Sequence, residues 1–299
     1  MSAKRYMLGI DLGGTHVKGI VVDEAGRVQV EDARPTGDGV EGTWRENVRS
    51  MVAGLRVRCP GIAAAGLCAP GLASGDEKMI VSMPGRLKGL EGLDWSNELG
   101  LPTVVLNDAH AALLGEVWLG AARGGTNVLM VTLGTGVGGA AMVDGRLLRG
   151  HLGRAGHVGH ISLNPAGAPD IVGTPGSLED AIGDCTVRAR SDGKFATTRE
   201  LVAAVAAGDG AARDVWERSV RALGAGLASL INVLDPEVIV LGGGMVAAGE
   251  ALFTPLAAAL DQMEWRIGSS KVALVPATLG AQAGAFGAAQ RALQKVSLT

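Results

Sequence analysis

The residues whose types and spacing suit phosphate chemistry are three glycine-rich turns and one Asn-Asp pair. In Asp11-Leu12-Gly13-Gly14-Thr15 the two glycines let backbone N–H groups approach an anion with no Cβ in the way, and Thr15 adds a hydroxyl. Asp11 ends the preceding apolar run, where a carboxylate can hold the water shell of a Mg2+ ion bridging phosphate oxygens. Read as structure alone, the same segment is a hairpin turn with a capping aspartate. Gly134-Thr135-Gly136-Val137-Gly138-Gly139 is a second such turn, and a nucleotide gripped between the two is a more specific expectation than either turn carries by itself. The third cluster, Gly242-Gly243-Gly244, follows the run VIVL, where a strand enters a helix and where open α/β sheets bind ligands. A close strand-to-helix turn explains it equally well. Asn107-Asp108 also follows an apolar run and opens a helix, as an N-cap pair does.

The elements that must position these residues follow from apolar periodicity. Tyr6–Ile10 and Val17–Val22 flank the first turn as a hairpin, followed by a further strand after the turn at 23–27. The hairpin recurs 121 residues later: LGIDLGGTHVKGIVVD (Leu8–Asp23) and LMVTLGTGVGGAAMVD (Leu129–Asp144) match at five of sixteen positions. This reads either as chance likeness between glycine-rich hairpins or as a duplicated domain whose two hairpins face each other across a cleft. Between them the pattern predicts a helix over 43–55, strands over 61–67 and 103–106, and a helix from 109 to about 119. An irregular stretch rich in Gly, Pro and His runs from 149 to 174. Helices over 198–207, 211–234 and 247–263, strands over 238–241 and 272–276, and a last helix from about 281 to 295 complete the chain. Alternating strands and helices mean an α/β architecture. The expected division is an N-terminal α/β domain over 1–118, completed by the C-terminal helix at about 283–299, and a second α/β domain over 119–282, with a hinge near 116–125.

Composition narrows the function. The 299 residues exceed one usual hydrophobic core, and 47 glycines with no three-residue period point to many turns rather than to collagen. Lys plus Arg number 27 against 30 Asp plus Glu, so no basic surface is expected to bind nucleic acid. Three cysteines at no short spacing suit a reducing compartment, and the apolar start is too short for a signal peptide, so a cytoplasmic protein is expected. The uncharged run at 124–143 is too rich in glycine and threonine for a membrane helix.

Taken together, LGIDLGGT, GLCAPG, LNDAHAALLGE, LGTGVGGA, GRAGHVGH, GSLE and VIVLGGG, in this order over nearly the whole chain, resemble the ROK family of sugar kinases. The resemblance implies a two-domain actin-like ATPase (ribonuclease H-like) fold with an interdomain cleft. It implies ATP and Mg2+ as cofactors and a hexose as substrate, with glucose ahead of fructose, allose, mannose or an N-acetylhexosamine. Polyphosphate as donor and a non-catalytic sugar-responsive protein stay open as alternatives, and a homodimer or homotetramer is implied. Asp11, Gly13, Gly14, Thr15, Lys18, Gly134, Thr135 and Gly136 would hold the phosphates and the magnesium water shell, with Gly242, Gly243 and Gly244 beside the adenosine. Asp108 would be the catalytic base that takes the proton of a sugar hydroxyl as it attacks the γ-phosphate. Gly71, Asn107, Asp108, His157, His160 and Glu179 would bind the sugar.

Two departures from the family pattern matter. His157 stands where the ExGH motif has Glu, and a neutral imidazole offers one donor and one acceptor where a carboxylate accepts two hydroxyls; a loop histidine with no ligand is the plainer reading. Many members also bind a structural zinc through the motif's last His and three Cys, but Asp170, Val172 and Ser177 occupy the cysteine positions here. No zinc is expected, although a replacement site of His151, His157, His160 and Asp170 is conceivable. His110, where the family has a second Asn, reads as a change on the helix surface.

Overall fold

The computed structural model describes residues 5–40, 42–83 and 85–297. Residues 298–299 of the expected last helix and residues 1–4 lie outside that range. The chain divides into two compact units: the first holds the residues up to Gly124, Leu147–Ala155 and those from Thr278 onward, and the second holds Gly125–Arg146 and Gly156–Ala277.

The first unit opens with β1 (Tyr6–Leu12), β2 (His16–Val22) and β3 (Val28–Pro35), an antiparallel meander. Then come α1 (Thr43–Arg58), β4 (Ile62–Ala69), the short pair β5 (Leu72–Ala73) and β6 (Ile80–Ser82), α2 (Trp95–Leu99), β7 (Thr103–Asn107) and α3 (Asp108–Leu119). β4 and β7 extend the meander in parallel, in the order β3-β2-β1-β4-β7. The second unit contains β8 (Val128–Leu133), β9 (Val137–Val143), the start of β10 (Arg146–Leu147), α4 (Leu178–Ile182), α5 (Val187–Arg190), α6 (Thr198–Ala206), α7 (Gly210–Leu234), β11 (Val238–Gly242), α8 (Glu250–Met263) and β12 (Ala273–Pro276). Its sheet runs β10-β9-β8-β11-β12 and repeats the first in kind, with an antiparallel hairpin followed by two parallel strands. The last helix, α9 (Ala283–Val296), returns to the first unit.

Both faces of the first sheet are covered, which is why β1 reads as a nearly unbroken apolar run. Trp44, Val48, Met51 and Leu55 of α1 pack on one face with Leu8, Ile10 and Val21, while Ala285, Phe286 and Ala289 of α9 pack on the other with Met7, Ile20 and Val22. The segment Leu147–Ala155, expected in the second domain, belongs to the first for two reasons. Arg149 reaches the buried carboxylate of Glu77 at 2.8 Å, which also pairs with Arg291 and Lys295, and the Ala155 carbonyl meets His110 Nε2 at 3.1 Å. His110 is therefore buried, not a surface change.

The helix expected over 247–263 is broken. Residues 244–248 form a 3-10 turn and Gly249 takes φ +55°, ψ −129°, a conformation closed to side chains with a Cβ. Within α8, Pro255 has no N–H for the Ala251 carbonyl, and the indole Nε1–H of buried Trp216 donates to that carbonyl instead at 2.8 Å. Among the described residues no helix is long and apolar enough to cross a membrane.

Candidate active site

In the first unit, β1, β4 and β7 end side by side, and the residues at these ends carry the chemistry. Asp11 is next to last in β1, Cys68 lies beside it next to last in β4, and Asn107 ends β7. Burial pushes the Asp11 carboxyl up to about 6 against the opposing charge of Lys18, and the negative charge of Asp108 pushes in the same direction as burial. The Cys68 thiol, kept protonated by burial and by Asp11 and Asp108, donates to the Asp11 carboxylate. Lys18 is the cross-strand partner of Asp11 and donates to the Ala281 carbonyl at 3.0 Å, so its ammonium is anchored as well as charged.

Asn107 caps α3: its Oδ1 accepts from the amides of Ala109 at 2.9 Å and His110 at 3.3 Å, and its Nδ2 donates to the Gly71 carbonyl at 2.9 Å. This joins three expected site residues, because Gly71, at φ +99°, packs against the Ser82 carbonyl and Asp108 is the first residue of the capped helix. Asp108 is exposed, and its Oδ1 accepts the Ala109 amide at 2.8 Å. One Nδ2 hydrogen of Asn107 has no part in these bonds and can serve a ligand.

The turn over 13–15 is anchored from below by buried Thr36, whose hydroxyl donates to the Gly13 carbonyl at 2.6 Å and whose amide donates to the Thr15 carbonyl at 2.8 Å. From the side, the Arg86 guanidinium lies against Gly14, where a Cβ would collide with it. Asp38 holds Arg86 Nε at 3.1 Å. Sequence reasoning missed both Thr36 and Arg86, since neither belongs to a motif and both are brought in by packing.

In the second unit, Gly134 and Thr135 line a cavity of about 660 Å³ together with Gly244 and Met245. Two of the three glycine clusters thus meet at one concavity of the size that small-molecule sites occupy. Gly243, at φ +86°, brings the third cluster against the Leu133 backbone, where no side chain fits. The opposite wall, which the sequence reading did not name, is the start of α6. Thr197 caps it by accepting the Glu200 amide at 3.2 Å, and Glu200 accepts the Ala196 amide at 2.8 Å. The T-T-R-E spacing carried that signal as a capping box.

Glu179, on α4, sits behind the Gly134–Gly136 turn: its Oε2 accepts the Val137 amide at 2.8 Å and abuts Gly136. His157 precedes and His160 ends the 3-10 turn Val158–His160, which is fixed against β9 because Gly159 touches the Val137 carbonyl. His160 Nδ1 lies 2.8 Å from Asp170 Oδ2. Burial alone would raise the Asp170 carboxyl, but hydrogen bonds from His160, the Thr174 and Val172 amides and Ser177 hold it down at about 2.

These residues do not suit zinc. Both Asp170 oxygens accept hydrogen bonds, Val172 and Ser177 supply no thiolate, and among the described residues no group of three or more His, Cys, Asp or Glu gathers as a metal site.

The sequence pattern of the ROK family matches residues 7–295. The glucokinase of Streptomyces coelicolor is 33% identical over 317 aligned positions, covering 95% of this chain and 96% of its own. The ROK hexokinase of Thermus thermophilus superposes with a TM-score of 0.84 at 31% identity, over 98% of this chain and 100% of that one. The ROK glucokinase of Streptomyces griseus, solved with glucose and AMPPNP, superposes with a TM-score of 0.79 at 29% identity, over 97% and 99% of the two chains. The fold is the two-domain actin-like ATPase fold of these kinases.

Proposed function

Since this chain belongs to the ROK family and is a sugar kinase, a phosphotransferase with an alcohol as acceptor, we propose that it transfers the γ-phosphoryl group of Mg-ATP to the terminal hydroxyl of a hexose, glucose first, with Asp108 as the base. The observation that carries this reading is the setting of Asp108. It is exposed at the head of α3, fixed by the Ala109 amide, with the Asn107 cap joining that helix to Gly71.

In this reading the Asp108 carboxylate takes the proton of the attacking hydroxyl, and Asn107 and Gly71 orient the sugar beside it. The amides of the turns over 13–15 and 134–136 hold phosphate oxygens, and the cavity lined by Thr135 and Gly244 takes the nucleoside. Magnesium, when bound, offsets charge on the transferred group. Asp11 suits its water shell, because a carboxyl raised by burial and by Asp108 is one that a divalent cation relieves. His157, His160 and Glu179 complete the set of sugar contacts. A coupled ADP-release assay against about a dozen hexoses and hexosamines tests the proposal: strong turnover on glucose supports it as stated. Turnover on another sugar alone replaces the substrate and assigns the change to His157. Tight sugar binding with no ADP release sinks the kinase mechanism.

A further inference from the structure

Of the four positions that would hold a metal in zinc-bearing relatives, three converge here on the fourth, an anion. His160 Nδ1 lies 2.8 Å from Asp170 Oδ2, the Val172 amide donates to Oδ1 at 3.0 Å, and the Ser177 hydroxyl donates to the same carboxylate. The Thr174 amide adds a further bond to Oδ1 at 2.9 Å. The Asp170 side chain is 0% exposed. Ser177 is also the N-cap of α4, accepting the Asp180 amide at 3.2 Å, and α4 carries Glu179.

The polarity of this hub is opposite to that of a metal. A metal takes the lone pair of the imidazole nitrogen it binds, so the other nitrogen of that neutral ring bears the hydrogen and donates. An ionised carboxylate only accepts, so the nitrogen facing it must bear the hydrogen, and in the neutral ring the other keeps its lone pair.

We propose that Asp170 is a positioning residue that replaces the metal of relatives: it locks His160 as the Nδ1–H tautomer, leaving Nε2 to accept a sugar hydroxyl, and through Ser177 it sets the start of the helix bearing Glu179. The inference deepens the kinase reading and rests on His160 being a sugar contact. An acceptor gained at His160 offsets the carboxylate acceptor lost where His157 replaces Glu, so the two departures from the family pattern belong together.

The test is long-range 1H–15N NMR of the full chain with 15N-histidine, assigned with His160→Gln, beside steady-state kinetics of Asp170→Asn. The expected result is a His160 ring protonated at Nδ1 with a bare Nε2 in the wild type. In Asp170→Asn that tautomer is lost and the sugar KM rises about tenfold or more, while kcat and the KM for Mg-ATP stay within about threefold. A wild-type ring protonated at Nε2 alone overturns the proposal, as does an unchanged sugar KM in Asp170→Asn. Should Asp170→Asn not fold, the triple change Asp170→Cys, Val172→Cys and Ser177→Cys, purified with zinc, keeps the loop anchored. It is expected to move the hydrogen to Nε2, and retention of Nδ1–H would refute the proposal. Titration with a turned-over sugar separates the two levels. A Nε2 resonance that does not move removes His160 from the sugar site and the proposal with it, yet leaves the kinase reading standing. Absence of phosphorylation on every sugar, with the tautomer as expected, fails the kinase reading instead.

Discussion

A carboxylate does different work according to the water and charge around it, and this chain holds three contrasting cases. Asp108 is exposed and accepts the Ala109 amide, and solvent access suits a group that must take a proton and give it up again. Asp108→Asn keeps the size and the amide contact but cannot accept that proton, so kcat should fall about 10³-fold while sugar affinity, measured by calorimetry, stays within about threefold. Asp11 is raised to about 6 from 3.8, so the folded protein binds this proton more tightly than the unfolded chain does. Its ionised form therefore costs stability, increasingly so as pH rises from about 4 to 6 and fully above that. Asp11→Asn should gain about 1–2 kcal/mol in urea unfolding at pH 7.5, gain nothing at pH 3.5, and lose Mg-ATP turnover. In the wild type, kcat/KM for Mg-ATP should fall about tenfold per unit below pH 6. Asp170 is the opposite case: held at about 2, it stabilises the loop above the ordinary carboxylate range and lets go only as pH falls toward 2.

At the scale of elements, close packing of helices on the first sheet holds the site in place. Gly115 of α3 and Gly287 of α9 let the two helices touch, and a Cβ at Gly287 would run into the Ala111 carbonyl. One turn earlier, Gly284 leaves room for Cys68 and Asp11, with a Cβ there 2.8 Å from Cys68 Sγ and 3.1 Å from Asp11 Oδ2. Gly287→Ala should destabilise by about 1–3 kcal/mol in urea unfolding. Gly284→Ala should cost less stability but more turnover, because the side chains it presses on are Cys68 and, through it and directly, Asp11. Turn chemistry made these elements readable from sequence: the hairpins, the Asn107 cap and the strand-to-helix glycines each depend on residues adjacent in the chain. Helix α8 was harder, since its start depends on one glycine conformation and its Pro255 is tolerated through Trp216, a residue of another helix.

At the scale of the whole molecule, buried Glu116 joins two segments of the first unit that lie far apart in the chain. It accepts the amides of Ala121, Thr278 and Leu279 and the Thr278 hydroxyl, so it ties the stretch that ends at Gly124 to the stretch that begins at Thr278 within the first unit. Glu116→Ala would leave those donors buried without an acceptor, and urea unfolding should show a loss of about 3 kcal/mol or more. Purified protein should carry fewer than about 0.2 zinc per chain, and one zinc per chain would contradict the donor set at Asp170. The sequence by itself determined the α/β alternation, the two glycine-turn hairpins and the Asn107–Asp108 pair, because each is written in contiguous residues whose periodicity or turn preference is local. Only the tertiary structure decided what reaches those motifs from afar: Arg86 and Thr36 on the first turn, Cys68 beneath Asp11, the start of α6 as a wall of the cavity, and His110 buried under Ala155. These contacts join residues far apart in the chain, and side-chain reach, desolvation and charge act through space, where spacing along the sequence carries no record of them.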